Sequence, residues 1–472
     1  SDGRFIACGV STVIDVKGRK SLKLPLPDNA RELFDYPYCR GLAISPCGEY
    51  LLAAGHLRNV YYWSIKESKF KGGLIATSHE DKLRPSTFAG HSVLRMRFAR
   101  SGRYLVLRCG NGSIYVYSWP TLRWIETLQD RGGINCSVDI SDDGRYVATG
   151  CAGDPALLWE LDEERGASPP AKISPEGMLS HCLALSRSGS MVAYAGFGRR
   201  VPSVIETYSK QERASLRPST SLAGPFRLAF IADGRLLVIS GQHGVSVLDL
   251  ARREEIIFLA AEMAYADIIP QTQDLLIIGN HKVYVVPWQL YLRKWSDIQE
   301  ERLPPDRINR LLTSLADENA KHAFDAMIQL IGQGDITVTA LANHLQPVLP
   351  ISNELGQQLL QKMASRDPAV REEATRQMQN YGLGALEVLK QASQQHPEPE
   401  VRCRCANLLR NLDDVGGLSL FERRSLEILE SLATPAAVGL LKKLAGGIQL
   451  APLTQEAQRV LQRLSWRPVC NQ

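Results

Sequence analysis

Six glycines set the rhythm of the first half of this chain. Gly3, Gly48, Gly102, Gly144, Gly189 and Gly234 follow one another at intervals of 45, 54, 42, 45 and 45 residues. Each sits in a short turn, as in Asp2-Gly3-Arg4, Ser101-Gly102-Arg103, Asp143-Gly144-Arg145 and Asp233-Gly234-Arg235. A degenerate seventh copy reads Gln273-Asp274-Leu275. A tight turn wants a positive φ, which costs glycine least. After each turn comes a continuous apolar run, such as Tyr50 to Ala54, Tyr146 to Thr149 and Leu236 to Ser240. Strands buried on both faces read this way.

One period is legible from end to end. Thr87-Phe88-Ala89-Gly90-His91 opens it, and the alternating run Leu94-Arg95-Met96-Arg97-Phe98 follows. Then come the turn at Gly102, a strand from Tyr104, a turn at Gly110-Asn111-Gly112, and strands from Ser113 and near Leu122 to Leu128. Four short strands per unit, repeated at a period near 45, are the signature of a β-propeller. The cadence predicts seven blades over residues 1–292.

These units resemble WD40 repeats in a degenerate form. Gly90-His91 matches the opening dipeptide once, and the closing Trp-Asp survives as Trp63-Ser64, Trp159-Glu160, Tyr117-Ser118, Ile14-Asp15 and Leu248-Asp249. The resemblance implies that the hydrogen-bond network of strong WD40 repeats is largely missing, so that blades pack mostly by apolar contacts. The chain enters in the second strand of the first blade, and the seventh ends with its third. Two consecutive strands are therefore expected upstream, about 20 to 30 residues; if residues 1–294 close the ring alone, Leu290-Tyr291-Leu292 is the expected substitute strand. The interval of 54 marks an insertion between Lys66 and Ser86. It reads as a long solvated loop or as a basic arm, carrying Lys69 and Lys71, that touches a partner.

Beyond Trp295 the period changes. Ile308, Leu311, Leu312 and Leu315, then Ala323, Met327, Leu330 and Ile331, recur at three and four, as on amphipathic helices. Asp367-Pro368-Ala369-Val370-Arg371 is echoed by Glu398-Pro399-Glu400-Val401-Arg402, 31 residues on. Proline in the first turn, then Val-Arg and an apolar helix, resembles short bacterial HEAT repeats. Further helices are predicted from Leu420 to Leu432, Pro435 to Leu444 and Thr454 to Leu464. A propeller running into such a segment is similar to the large, uncharacterised WD40 proteins of planctomycete-type bacteria. The expected division is a propeller over 1–292 and an all-α, HEAT-like domain over 293–472.

Composition narrows the function less than the fold. A balance of 55 basic to 50 acidic side chains gives a net charge of +5, too even to imply nucleic acid. The longest apolar runs are of strand length, so no transmembrane helix is expected. None of the ten cysteines forms Cys-x-x-Cys. Cys8 and Cys109 share a repeat slot with Ala54 and Ala195, which marks a small packing residue. Scattered free thiols favour a reducing, cytoplasmic compartment, with an extracytoplasmic one open if a leader has been removed. No phosphate-binding loop, His-Glu-x-x-His motif or nucleophile elbow occurs. His56, His243 and His281 share a turn position. They either converge as a metal or catalytic cluster or stand solvated, and the separation of their blades favours the second.

The sequence therefore predicts no cofactor, no metal and no enzyme. Arg371, Arg376, Arg402 and Arg404 form either a solvated helix face or a basic ridge for an acidic partner. The expected function is a protein–protein interaction scaffold or a subunit of a larger assembly, binding through propeller faces and helical groove. The alternative is an enzyme or small-ligand binder that uses the central channel.

Overall fold

The computed structural model describes residues 5–8, 11–15, 18, 20–26, 41–54, 59–75, 92–132, 136–151, 154–162, 166–174, 182–196, 199–216, 218, 225–262, 265–268, 274–279, 282–287, 302–412 and 417–466. The chain divides into two compact units. One is Ser1–Lys294 with Asn319–His322 and Trp466–Gln472; the other is Trp295–Glu318 with Ala323–Ser465.

The first unit is a β-propeller. Its strands pair antiparallel with their neighbours in sequence, sheet after sheet. Six sheets open with an inner strand: Leu42–Ile44, Val93–Phe98, Cys136–Ile140, Cys182–Leu185, Pro225–Ile231 and Tyr265–Ile268. Each inner strand lies against the next in that order. The expected seven blades are thus corrected to six. The first sheet, Phe5–Cys8, Thr12–Asp15 and Lys20–Lys23, has three strands and no inner one; it adjoins Leu42–Ile44 through Phe5–Cys8. The glycine turn marks the start of a second strand. It therefore counts a sheet whether or not an inner strand precedes it. Leu290 to Leu292 lie outside the described residues.

Apolar runs in the second strands do what their composition requires. Leu105, Val106 and Leu107 are fully buried, as are Val147, Ala148, Leu236 and Leu237. Alternate residues face opposite neighbours. Leu105 and Leu107 join the core shared with Leu52 and Val60, whereas Val106 joins the core shared with Val138, Val147 and Trp159. Each large aliphatic side chain so buried stabilises the fold by about 1.5–3 kcal/mol.

The cores between blades are apolar, and within single blades ion pairs add to them. An acidic residue at or near the end of a third strand pairs with arginine. Arg145 Nη2 lies 2.6 Å from Glu160, and Arg235 Nη2 lies 2.8 Å from Asp249. Both arginines follow the turn glycine, and the register sets Tyr146 opposite Glu160 and Leu236 opposite Asp249. In the blade between them Glu206 holds the acidic place and pairs at 2.6 Å with Arg213, both fully buried. Arg108 and Asp130 make a further buried pair at 2.8 Å. Such pairs repay their desolvation only with good geometry. Arg108 reaches Asp130 through both Nε and Nη2.

The thiols are not all free. Cys136 and Cys151, directly opposed on neighbouring strands, are joined as a disulfide. Cys109, Ala54 and Ala195 are buried, as their shared slot predicts.

The second unit holds ten α-helices among the described residues. Pro368–Asn380 and Pro399–Leu412 start 31 residues apart, each with proline in its first turn. Asp367 caps the former by accepting from Ala369 N at 2.9 Å. Leu359, Met363, Ala374, Met378, Leu389, Val401 and Cys405 form one core beneath them. Ser419 and Glu422 make a capping box on Leu420–Leu432, and Thr434 caps Pro435–Ala445. Among the described residues no helix is long and apolar enough to cross a membrane.

Candidate functional site

The basic residues singled out from the sequence do not form one surface. Lys69 and Lys71 lie on Lys69–Ile75, the outer strand of its sheet, where a loop was expected. The remainder of that insertion, and the chain on to residue 91, lie outside the described residues. Lys71 Nζ donates to Glu67 at 2.6 Å; this bond holds the Lys71 ammonium above and the Glu67 carboxyl below their ordinary ranges.

On the helices the arginines are engaged with their own unit. Arg371 Nη1 donates to the carbonyls of Ser365 and Arg366, at 2.9 and 3.0 Å. Arg402 Nη1 does the same to His396 and Pro397, at 2.6 and 3.0 Å. The offsets are identical, so one side-chain conformation recurs with the repeat. Arg371 Nε also lies 3.2 Å from Glu400, and Arg404 Nη2 lies 2.8 Å from the same oxygen. Glu400 thereby ties the two repeats together. Its carboxyl is held low, first by the Arg404 hydrogen bond and then by the neighbouring Arg371 charge. Arg376 pairs with Glu373 one turn back.

Of the turn histidines, His243 is exposed, and His56 and His281 fall outside the described residues. Among the described residues no group of three or more His, Cys, Asp or Glu side chains is placed to hold a metal ion.

The inner strands of the propeller bring charge together. Arg97 on Val93–Phe98 and Asp139 on Cys136–Ile140 occupy equal register positions, opposite Val106 and Ala148. Arg97 Nε lies 3.7 Å from Asp139, and Leu185 N on the next inner strand donates to Asp139 at 2.9 Å. Burial pushes the Asp139 carboxyl up; the Arg97 charge, backbone N–H groups and Arg227 pull against it. Arg227 stands two sheets further round. Both groups stand on inner strands, with one sheet between theirs.

A second layer lies two residues earlier. Arg95, Ser137, Cys182 and Arg227 sit opposite Arg108, Gly150, Ala195 and Ser240. Burial raises the Cys182 thiol to about 12. Sequence reasoning passed over this set. Its signal was the alternation Leu94-Arg95-Met96-Arg97-Phe98, in which two arginines interrupt a strand otherwise suited to burial.

The loops of the helical unit offer a different kind of surface. Ile448 N donates to Val348 O and Ile351 N donates to Gly384 O, each at 2.9 Å. A side chain at Gly384 would come within 2.9 Å of Leu349 O, and one at Gly447 within 3.0 Å of Val348 O. Three loops are therefore laced side by side. They leave Leu349, Leu450 and Tyr381 exposed by 60, 55 and 44%.

Compared with known proteins, the chain matches no family model, and no curated protein is similar to it.

Proposed function

We propose that this protein is a non-catalytic interaction scaffold, a subunit of a larger protein assembly. Its propeller is WD40-like, with the ring over residues 1–292, and its helical part over 293–472 is HEAT-like. The observation that carries the reading is the exposure of Leu349, Tyr381 and Leu450 on adjoining loops. Single exposed apolar side chains are ordinary, but three on adjoining loops make a patch of the kind that other proteins cover. The loops are held by backbone hydrogen bonds, so the patch is presented without a large ordering cost. Arg371, Arg376, Arg402 and Arg404 contribute to shape more than to recognition in this reading.

The test is co-purification from an extract of the native cells, with mass spectrometry of what is retained. Wild-type protein retains defined partners in constant ratio, and Leu349→Asp with Leu450→Asp loses at least one while unfolding at the same temperature. Retention of the same partners by the double variant removes the observation on which the reading rests.

A further inference from the structure

We propose that the arginines of the inner strands Val93–Phe98 and Pro225–Ile231 bind a small phosphate-class oxyanion at the axis of the propeller. This inference is independent of the scaffold reading.

Arg95 and Arg227 hold the same register position in two blades separated by two others. The intervening blades put Ser137 and Cys182 at that level, a short hydroxyl and a short thiol. Arg97 stands two residues further along its strand, beside Asp139 at 3.7 Å. Three guanidiniums thus belong to the inner strands of two blades, with the Asp139 carboxylate beside one of them. Asp267 also lies on an inner strand, Tyr265–Ile268.

A single guanidinium fork suits a planar carboxylate, whereas forks arriving from several sides suit a tetrahedral oxyanion with more oxygens to satisfy. The low-dielectric walls of the surrounding sheets strengthen that attraction over its value in water. Asp139 acts in this arrangement as the competitor. It holds Arg97 in place when no anion is bound and opposes the anion that arrives.

The experiment is calorimetric titration of the whole chain with inorganic phosphate, and in a second arm with glycerol phosphate, at low ionic strength. Saturable binding at millimolar concentration or below is expected in at least the first arm. Binding of both assigns recognition to the phosphoryl group, and binding of phosphate alone assigns it to the free ion. Arg95→Ala with Arg227→Ala is expected to weaken binding by about tenfold or more, the equivalent of one lost charge-assisted hydrogen bond. Asp139→Asn is expected to tighten it. Arg131→Ala, at an arginine whose side chain is 84% exposed, leaves it unchanged. The pair of opposite signs separates a site from a fold effect, because mere loosening of the blades weakens binding in both variants. Absence of saturable binding, an unchanged affinity in the double arginine variant, or weaker binding by Asp139→Asn overturns the proposal.

Discussion

The ring of Tyr104 stands where a side chain on Gly144 would go. A Cβ built on Gly144 would lie 2.1 Å from Tyr104 Cδ2, and the glycine itself has a φ of +84°. The next pair repeats the arrangement: a Cβ on Gly189 would lie 2.4 Å from Tyr146. The turn glycine of one blade is therefore also the floor on which the preceding blade rests its first second-strand residue. Gly102 differs. Its φ is +71°, but nothing stands within 4 Å of its missing Cβ.

These differences order two substitutions. Gly102→Ala carries only the left-handed backbone cost, about 1–2 kcal/mol. Gly144→Ala adds overpacking against a ring held in a core, typically about 1–3 kcal/mol more. Urea unfolding followed by circular dichroism should rank Gly144→Ala well below Gly102→Ala in stability. Tyr104→Ala combined with Gly144→Ala should cost less than the sum of the two. Additive losses would show that ring and turn do not interact.

Much of the architecture was legible because its signals are local. The strand Tyr50–Ala54 and the helix Leu420–Leu432 were expected and stand at those residues, the one on a continuous apolar run and the other on a repeat of three and four. The outer strand Lys69–Ile75 falls where the interval of 54 residues leads us to expect an inserted loop. In the structure Gly73 lies beneath the ring of Tyr61, where a side chain would crowd it. The pair Arg97–Asp139 was invisible for another reason. It depends on how one sheet is set against the next, and no spacing along the chain encodes that register. Arg213 and Glu206 lie closer in sequence, yet a strand, a turn and a strand must form before they meet.

The Arg213–Glu206 pair gives a sharp prediction. Both side chains are fully buried, and Arg213 Nε and Nη2 both donate to Glu206, at 3.1 and 2.6 Å. Arg213→Met strands a buried carboxylate and is expected to cost about 3–5 kcal/mol. Adding Glu206→Gln should restore a large part of that loss. Equal stability of the single and double variants in urea would mean that the carboxylate finds another partner.

Cysteine labelling probes the helical repeat directly. Cys403 is exposed, whereas Cys405, two residues on, is buried with its thiol raised to about 11. Thiolate is the reactive form. A maleimide at mildly alkaline pH should modify Cys403 and Cys47 in the native protein and spare Cys405 and Cys182, with peptide mass spectrometry as the readout. Modification of Cys405 at the rate of Cys403 would place the helix in a different rotation.

Glu400 makes the pH dependence of the repeat junction specific. The Arg404 hydrogen bond, and then Arg371, hold its carboxyl below the ordinary glutamate range. A depressed carboxyl contributes stability that is present above the unfolded-state value and is lost as pH falls through the folded one. The group is fully exposed, so the contribution is small, but its midpoint is measurable. In an NMR titration, Arg404→Ala should move the Glu400 midpoint upward, towards that of a free glutamate. An unmoved midpoint would leave the junction without its ion pair in solution.

The two equivalent arginines decide between shape and recognition on the helices. Arg371 and Arg402 each spend one guanidinium nitrogen on two carbonyls of the loop before their own helix, at the same offsets. Those carbonyls would otherwise depend on water, and each arginine fixes the angle at which the chain enters the helix. Arg402→Ala is expected to lower stability by about 1–2 kcal/mol, as for the loss of charge-assisted bonds that are partly open to solvent. Arg402→Lys should not restore it fully, because the lysine nitrogen falls about one bond short of the position that Arg402 Nη1 occupies. Arg376, which pairs only across one helical turn among the described contacts, should be nearly silent in the same measurement. A surface built for an acidic partner would reverse the order: Arg402→Ala would leave the melting temperature unchanged and reduce what co-purifies with the protein.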